Sequence, residues 1–147
     1  MKISEFLSPT ETLINIRASD KENLLQELAH RAAAKLSLSE DCIVAELLKR
    51  EMLGSTGMGN GVAIPHARYQ TIEKPFGIIA KLKQPIDFDA IDDQPVDIVF
   101  MLLLPTPSEG EQLGALACVA RKLRAADDLV LLRRAKNVPE LYATLTG

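Results

Sequence analysis

The sequence predicts an α/β sandwich, a sheet with helices on both of its sides, and two observations carry that expectation. Residues 98–105, IVFMLLLP, form an apolar run without alternation, as a central strand covered on both faces requires. Shorter strand-like runs alternate with helical periodicities along the chain. The hydrophobic fraction is 47% with only 4% aromatic and no Trp, so the core is built from Leu, Ile, Val and Ala.

Taken in order, TLINIR (12–17) reads as the first strand, rich in β-branched residues and bounded by Pro9 and Asp20. Ser19 and Glu22 form a capping box that opens a helix to about Lys35, with Leu25, Leu28, Ala29, Ala32 and Leu36 on one face. His30 points away from that stripe, as a surface histidine does. Ser39, Glu40 and Asp41 suit the start of a second helix, with Ile43, Leu47 and Leu48 on its apolar side. That helix runs to about Met52, carries Lys49, Arg50 and Glu51 in its last turn, and is stopped by Gly54. A glycine loop follows, then short strands at VAI (62–64) and FGIIAKL (76–82). PIDFDAIDDQPVD (85–97) reads as a strand fragment with turns. Past the central strand, Ser108 and Glu111 make another capping box, and Leu113, Leu116, Ala117, Ala120 and Leu123 form the core side of its helix. Two short helices close the chain, at about 127–135 and 138–145, the second introduced by Asn137, Pro139 and Glu140.

A chain of 147 residues without repeat or linker is read as one domain, 1–147, large enough to bury roughly two-thirds of its unfolded surface. No apolar run approaches the ~18 residues of a membrane span. The start, MKISEFLSPTET, has acids and polar residues where a signal peptide is apolar, so a cytoplasmic location without membrane insertion is expected. Cys42 and Cys118 lie far apart inside helical patterns and are expected to be small buried hydrophobes rather than a disulfide. The net charge of −3 gives no reason to expect a nucleic-acid partner. RKLR (121–124) and RRAK (133–136) read as solvated helix faces.

The chemistry concentrates in GSTGMGNGVAIPHARY (54–69), which holds four of the chain's eight glycines and one of its two histidines. A Walker A loop would place Lys and Ser or Thr where Asn60 and Gly61 stand. The dinucleotide fingerprint fails on glycine spacing, and the loop leads from helix to strand, the reverse of the phosphate-binding order. A metal site lacks a second histidine or cysteine near His66. A cysteine hydrolase would have to pair His66 with Cys118, whose helical setting makes its thiol inert. GSTG does not match the serine-hydrolase elbow. No cofactor is expected.

Imidazole, however, is largely neutral and nucleophilic near pH 7, so one exposed histidine can itself accept a group. Phosphoryl transfer to nitrogen asks mainly for positioning and for donors around three charged oxygens. The backbone at Gly57, Gly59 and Asn60 can approach such an anion, and Ser55 and Thr56 add hydroxyl donors. Pro65 fixes its own φ and holds Ile64 extended, which aims His66, while Ala67 leaves room for a docking partner. Arg50 can return toward the loop with a guanidinium shaped for phosphate oxygens. The helix start at Ser108–Gln112 offers a second anion site, where Gln112 can donate through its amide. The same residues also fit a plain sharp turn, an unremarkable histidine and an arginine that only complements its helix dipole.

REMLGSTGMGNGVAIPHAR (50–68) and PIDFDAIDDQPVDIVFMLLLP (85–105) closely resemble the fructose/mannitol-type enzyme IIA of the bacterial phosphoenolpyruvate-dependent phosphotransferase system. The similarity spans essentially the whole chain, GNGVAIPHA is highly specific, and the nitrogen-regulatory branch is nearest. The resemblance implies a three-layer sandwich around a mixed sheet. It also implies His66 as phosphoacceptor, with Arg50 beside it, loaded by a histidine-phosphorylated phosphocarrier protein of the HPr or NPr kind. Members of this branch regulate transport or sensor proteins by contact, according to phosphorylation state. The family often carries a second histidine where this chain has Gln112, which donates a hydrogen bond without positive charge. Two other roles stay open: a sugar-specific enzyme IIA that passes phosphate to a separate enzyme IIB, and an interaction module in which phosphoryl flow has lapsed.

Overall fold

Every residue of the strand Val96–Leu104 except Asp97 is buried, and the fold is organised around it. The computed structural model describes residues 1–106 and 111–147, the side chains of 111–113 excepted. Six strands are formed: β1 (Thr12–Ile16), β2 (Gly57–Gly59), β3 (Val62–Ala63), β4 (His66–Arg68), β5 (Phe76–Ile86) and β6 (Val96–Leu104). The helices are α1 (Lys21–Leu36), α2 (Glu40–Met52), α3 (Glu111–Arg124), α4 (Ala126–Arg134) and α5 (Val138–Thr146). On one edge of β6 lies β5, antiparallel, and beyond it β1, parallel to β5. On the other edge β3 and then β4 run parallel to β6, and β2 pairs antiparallel with β3. The sheet is therefore mixed, as expected.

Alternation along β6 divides the core in two. Val99, Met101 and Leu103 join Leu24, Leu28, Ile43 and Leu47 of α1 and α2. Ile98, Phe100, Leu102 and Leu104 join Val119, Leu132 and Leu141 of α3, α4 and α5. Helices cover both faces, which gives the three layers.

Several local expectations need correction. The cap of α1 is Asp20, not Ser19: the Asn23 N–H donates to Asp20 Oδ1 at 2.8 Å, and Ser19 Oγ takes a bond from the Asn23 amide instead. Ser39 caps α2 as expected, accepting from the Cys42 N–H at 3.3 Å. Cys42 is exposed, because the buried stripe of α2 is Ile43 and Leu47 and position 42 falls beside it. Cys118 is only partly buried and its Sγ donates to the Met1 carbonyl at 3.3 Å. The core stripe of α3 contains Ala115, Val119 and Leu123, whereas Leu116 and Ala120 are partly buried and Ala117 is exposed. LGALACV is apolar on most sides, so periodicity alone does not fix that helix's rotation. The capping box at Ser108 lies outside the described residues.

The glycine loop is the largest departure. It folds as a β-hairpin, β2–β3, around Asn60 (φ 57°) and Gly61 (φ 78°). A two-residue turn with both φ positive is the tight turn that matches strand twist, and Asn-Gly is the pair that tolerates it.

Candidate functional site

His66 opens β4, where the chain returns to the edge of β6 after the Ile64–Pro65 step. The Pro65 carbonyl accepts the Leu102 N–H at 2.9 Å, and the Ile64 N–H donates to the Thr56 carbonyl at 3.1 Å. Proline has no N–H to lose here, so the step is fixed at little cost to the ladder. His66 Nδ1 then lies 2.8 Å from the Ile64 carbonyl oxygen. A carbonyl can only accept, so Nδ1 carries the proton and Nε2 bears the lone pair of the neutral ring. Burial holds the imidazole below its ordinary pKa, and the positive charges of Arg50 and Arg68 act in the same direction. The Ile64 carbonyl and the Glu51 carboxylate oppose the shift without reversing it. Half-buried, neutral and fixed in one tautomer, the ring leaves the lone pair of Nε2 free of that hydrogen bond.

His66 lines a cleft of about 360 Å³ between α2, β4, the end of β6 and α3. Lys49, Arg50, Leu53 and Glu46 form its α2 wall, with Ala67 and Arg68 beside His66, and Leu104 and Leu116 opposite. Among the described lining residues three cations face one carboxylate, which favours an anion. Arg50 Nη1 donates to the Gly54 carbonyl at 2.8 Å, which ties the guanidinium to the chain leaving α2. Arg68 belongs to this wall because it lies two residues after His66 on one strand and so shares its face. That spacing is visible in the sequence, although Arg68 was not among the expected site residues.

The structure thus brings His66 and Arg50 to one cleft, but gives the hairpin residues other partners. Ser55 Oγ donates to the Phe88 carbonyl at 2.7 Å and accepts the Gly57 N–H at 3.0 Å. The Thr56 N–H donates to Glu51 Oε1 at 3.0 Å, and its hydroxyl to Glu51 Oε2. Gly57 packs against Ala90, where a Cβ would come within 2.8 Å of that side chain. Gly59 sits beside Asp92, which accepts the Asn60 N–H at 3.0 Å. This loop is a scaffold for the Ile64–His66 step. The side chain of Gln112 and the helix start expected at Ser108 as a second anion site lie outside the described residues. His30 is exposed and paired with Glu40, Nδ1 to Oε1 at 2.6 Å. Among the described residues no group of three or more His, Cys, Asp or Glu side chains is placed to hold a metal. Nor is any described helix long and apolar enough to cross a membrane.

With this geometry in hand, similarity to known proteins is extensive. Residues 5–147 match the family described as phosphoenolpyruvate-dependent sugar phosphotransferase system, EIIA 2. A nitrogen regulatory protein of Bradyrhizobium diazoefficiens is 41% identical over 145 residues, 99% of this chain and 95% of its own. The crystal structure of nitrogen regulatory protein IIA-Ntr from Neisseria meningitidis superposes with a TM-score of 0.93 at 33% identity, over 98% of this chain and 99% of that one. IIA mannitol from Escherichia coli has the same fold, with a TM-score of 0.78 at 18% identity over 95% and 98% of the two chains.

Proposed function

Because this chain belongs to the EIIA 2 family of the phosphoenolpyruvate-dependent sugar phosphotransferase system, we propose that His66 accepts a phosphoryl group from a histidine-phosphorylated phosphocarrier protein. One observation carries the reading: the Nδ1–H donated to the Ile64 carbonyl leaves Nε2 as the nucleophilic atom. In the transfer, the Nε2 lone pair forms a bond to phosphorus as the donor's P–N bond breaks. The electron pair of that broken bond stays on the donor nitrogen. Positive charge appearing on the accepting ring is stabilised through Nδ1–H by the carbonyl, while Arg50, Arg68 and Lys49 offset the charge of the phosphoryl oxygens. The shift that keeps the ring neutral keeps the lone pair available.

The closely similar nitrogen regulatory proteins support a regulatory output. In this reading residues 1–147 act as one cytoplasmic enzyme IIA unit that contacts transport or sensor proteins according to the phosphorylation state of His66. A sugar-specific role draws on the family description and on partial matches to fructose-specific components, whereas the nitrogen regulatory proteins match over nearly the whole length of both chains.

The test is incubation with the general phosphotransferase enzyme, phosphocarrier and labelled phosphoenolpyruvate, followed by mapping of the label. An acid-labile, base-stable phosphoryl group on His66 is expected, lost in His66→Ala and kept in His30→Ala. Label that survives His66→Ala would overturn the assignment.

A further inference from the structure

Behind His66 a series of hydrogen bonds leads to a buried carboxylate paired with a partly buried lysine. Starting at the ring, Nδ1–H donates to the Ile64 carbonyl at 2.8 Å, and the Ile64 N–H donates to the Thr56 carbonyl at 3.1 Å. Thr56 is in turn held twice by Glu51, through its N–H at 3.0 Å and through its hydroxyl. The Glu51 side chain is only 5% exposed, and Lys21 Nζ lies 2.9 Å from its Oε1. Lys21 is fixed as well: it donates to the Phe88 carbonyl at 3.3 Å and stands 4.7 Å over the Phe88 ring, with Asp89 Oδ2 at 3.9 Å. The carboxylate at the end of α2 thus joins Lys21 of α1 to Thr56, five residues further along the chain, and the Thr56 carbonyl holds the N–H of Ile64, whose own carbonyl orients the ring.

We propose that Glu51 is a positioning residue for His66: its carboxylate, neutralised by Lys21, pins Thr56, which holds Ile64 by its N–H, and the Ile64 carbonyl on the far side of that residue holds the ring in the Nδ1–H form. Free neutral imidazole favours the other tautomer, with hydrogen on Nε2, which would block the atom that must attack. A group that fixes the tautomer acts on reactivity without touching the phosphoryl group. Glu51 lies beside Arg50 in sequence, yet the two face different tasks, one toward the cleft and one toward the scaffold. The role rests on the phosphoacceptor reading for its purpose, but its structural content can be measured separately.

The experiment uses the full chain labelled with 15N-histidine, with the His66 tautomer read from long-range proton–nitrogen correlations above the ring's titration. The parent should show Nδ1–H alone. Glu51→Gln keeps the shape and removes the charge that holds Lys21, so the Nε2–H form should appear alongside. Label uptake should then slow by roughly tenfold or more, as for other displaced reacting groups. Thr56→Val keeps the backbone bonds and loses the hydroxyl bond, and should shift the tautomer in the same direction to a smaller degree. It decides the matter alone if Glu51→Gln does not fold. A folded variant of either kind with the parent's tautomer would overturn the proposal. The tautomer decides the role of Glu51 whether or not the parent takes label, so failure of the phosphoacceptor reading would be seen separately.

Discussion

At His66 the charge state is a matter of linkage. Its pKa is lowered in the fold, first by burial and then by Arg50 and Arg68, relative to an ordinary value of 6.5. Between the two values the unfolded chain binds more protons than the folded one, so stability falls as pH drops through that window. The loss is complete once the folded ring itself is protonated. An NMR titration of the His66 ring should therefore give a midpoint below the ordinary value. The denaturation midpoint should also lose less on acidification in His66→Gln than in the parent. Arg50 offers a second check. Arg50→Lys keeps charge without the planar fork and should slow label uptake, and Arg50→Ala should slow it by about a hundredfold, with folding intact in both. Rates equal to the parent's would remove Arg50 from the site. That His66 and Arg50 share a cleft was legible because IPHAR and the end of α2 carry their own local signals. Glu51 was not, since its meaning depends on Lys21 and Thr56, which only the folded chain brings to it.

The hairpin shows where an element is legible only in part. Asn60–Gly61 is a strong turn signal, but four glycines within eight residues give no alternating pattern and suggest an irregular loop. Strand identity here comes from pairing to β3 and, through it, to β6, rather than from propensity. Gly61 is the sensitive position. Its φ of 78° disfavours any side chain, and a Cβ would also press on Asp97 Oδ1 at 2.9 Å and on the Arg133 guanidinium. Gly61→Ala should cost at least about 1–2 kcal/mol in urea denaturation, the ordinary cost of left-handed backbone. An unchanged midpoint would mean the turn relaxes freely. The caps show a similar limit: Ser19 and Asp20 are both good cap residues, and only the path of the chain into α1 selects the second.

Across the whole molecule the doubly covered strand β6 was legible from composition alone, because burial on both sides leaves no polar position except Asp97. The placement of β3 and β4 end to end along one edge of β6 was not, since no local pattern names a distant partner. Phe100, fully buried and edge-on to Phe6 with centroids 6.2 Å apart, tests how strongly the second core layer depends on that strand. Phe100→Ala should cost about 3–5 kcal/mol. Arg133 has a different kind of consequence. From α4 it forks onto Asp97, at 3.0 and 3.2 Å, and also donates to the Asn60 carbonyl at the hairpin tip, 73 residues earlier in the chain. Hairpins form within microseconds from neighbouring residues, but this clasp must wait for α4 to dock. Its contribution then belongs to the native state and not to the barrier that precedes it. Arg133→Met should speed unfolding by about fivefold, for roughly 1 kcal/mol of lost ion pairing, and leave the refolding limb of a chevron plot where it was. A slowed refolding limb would put the docking of α4 before the barrier. On that expectation the fork is a kinetic latch, one that sets how long the hairpin beside the Ile64–His66 step stays assembled rather than how fast it forms.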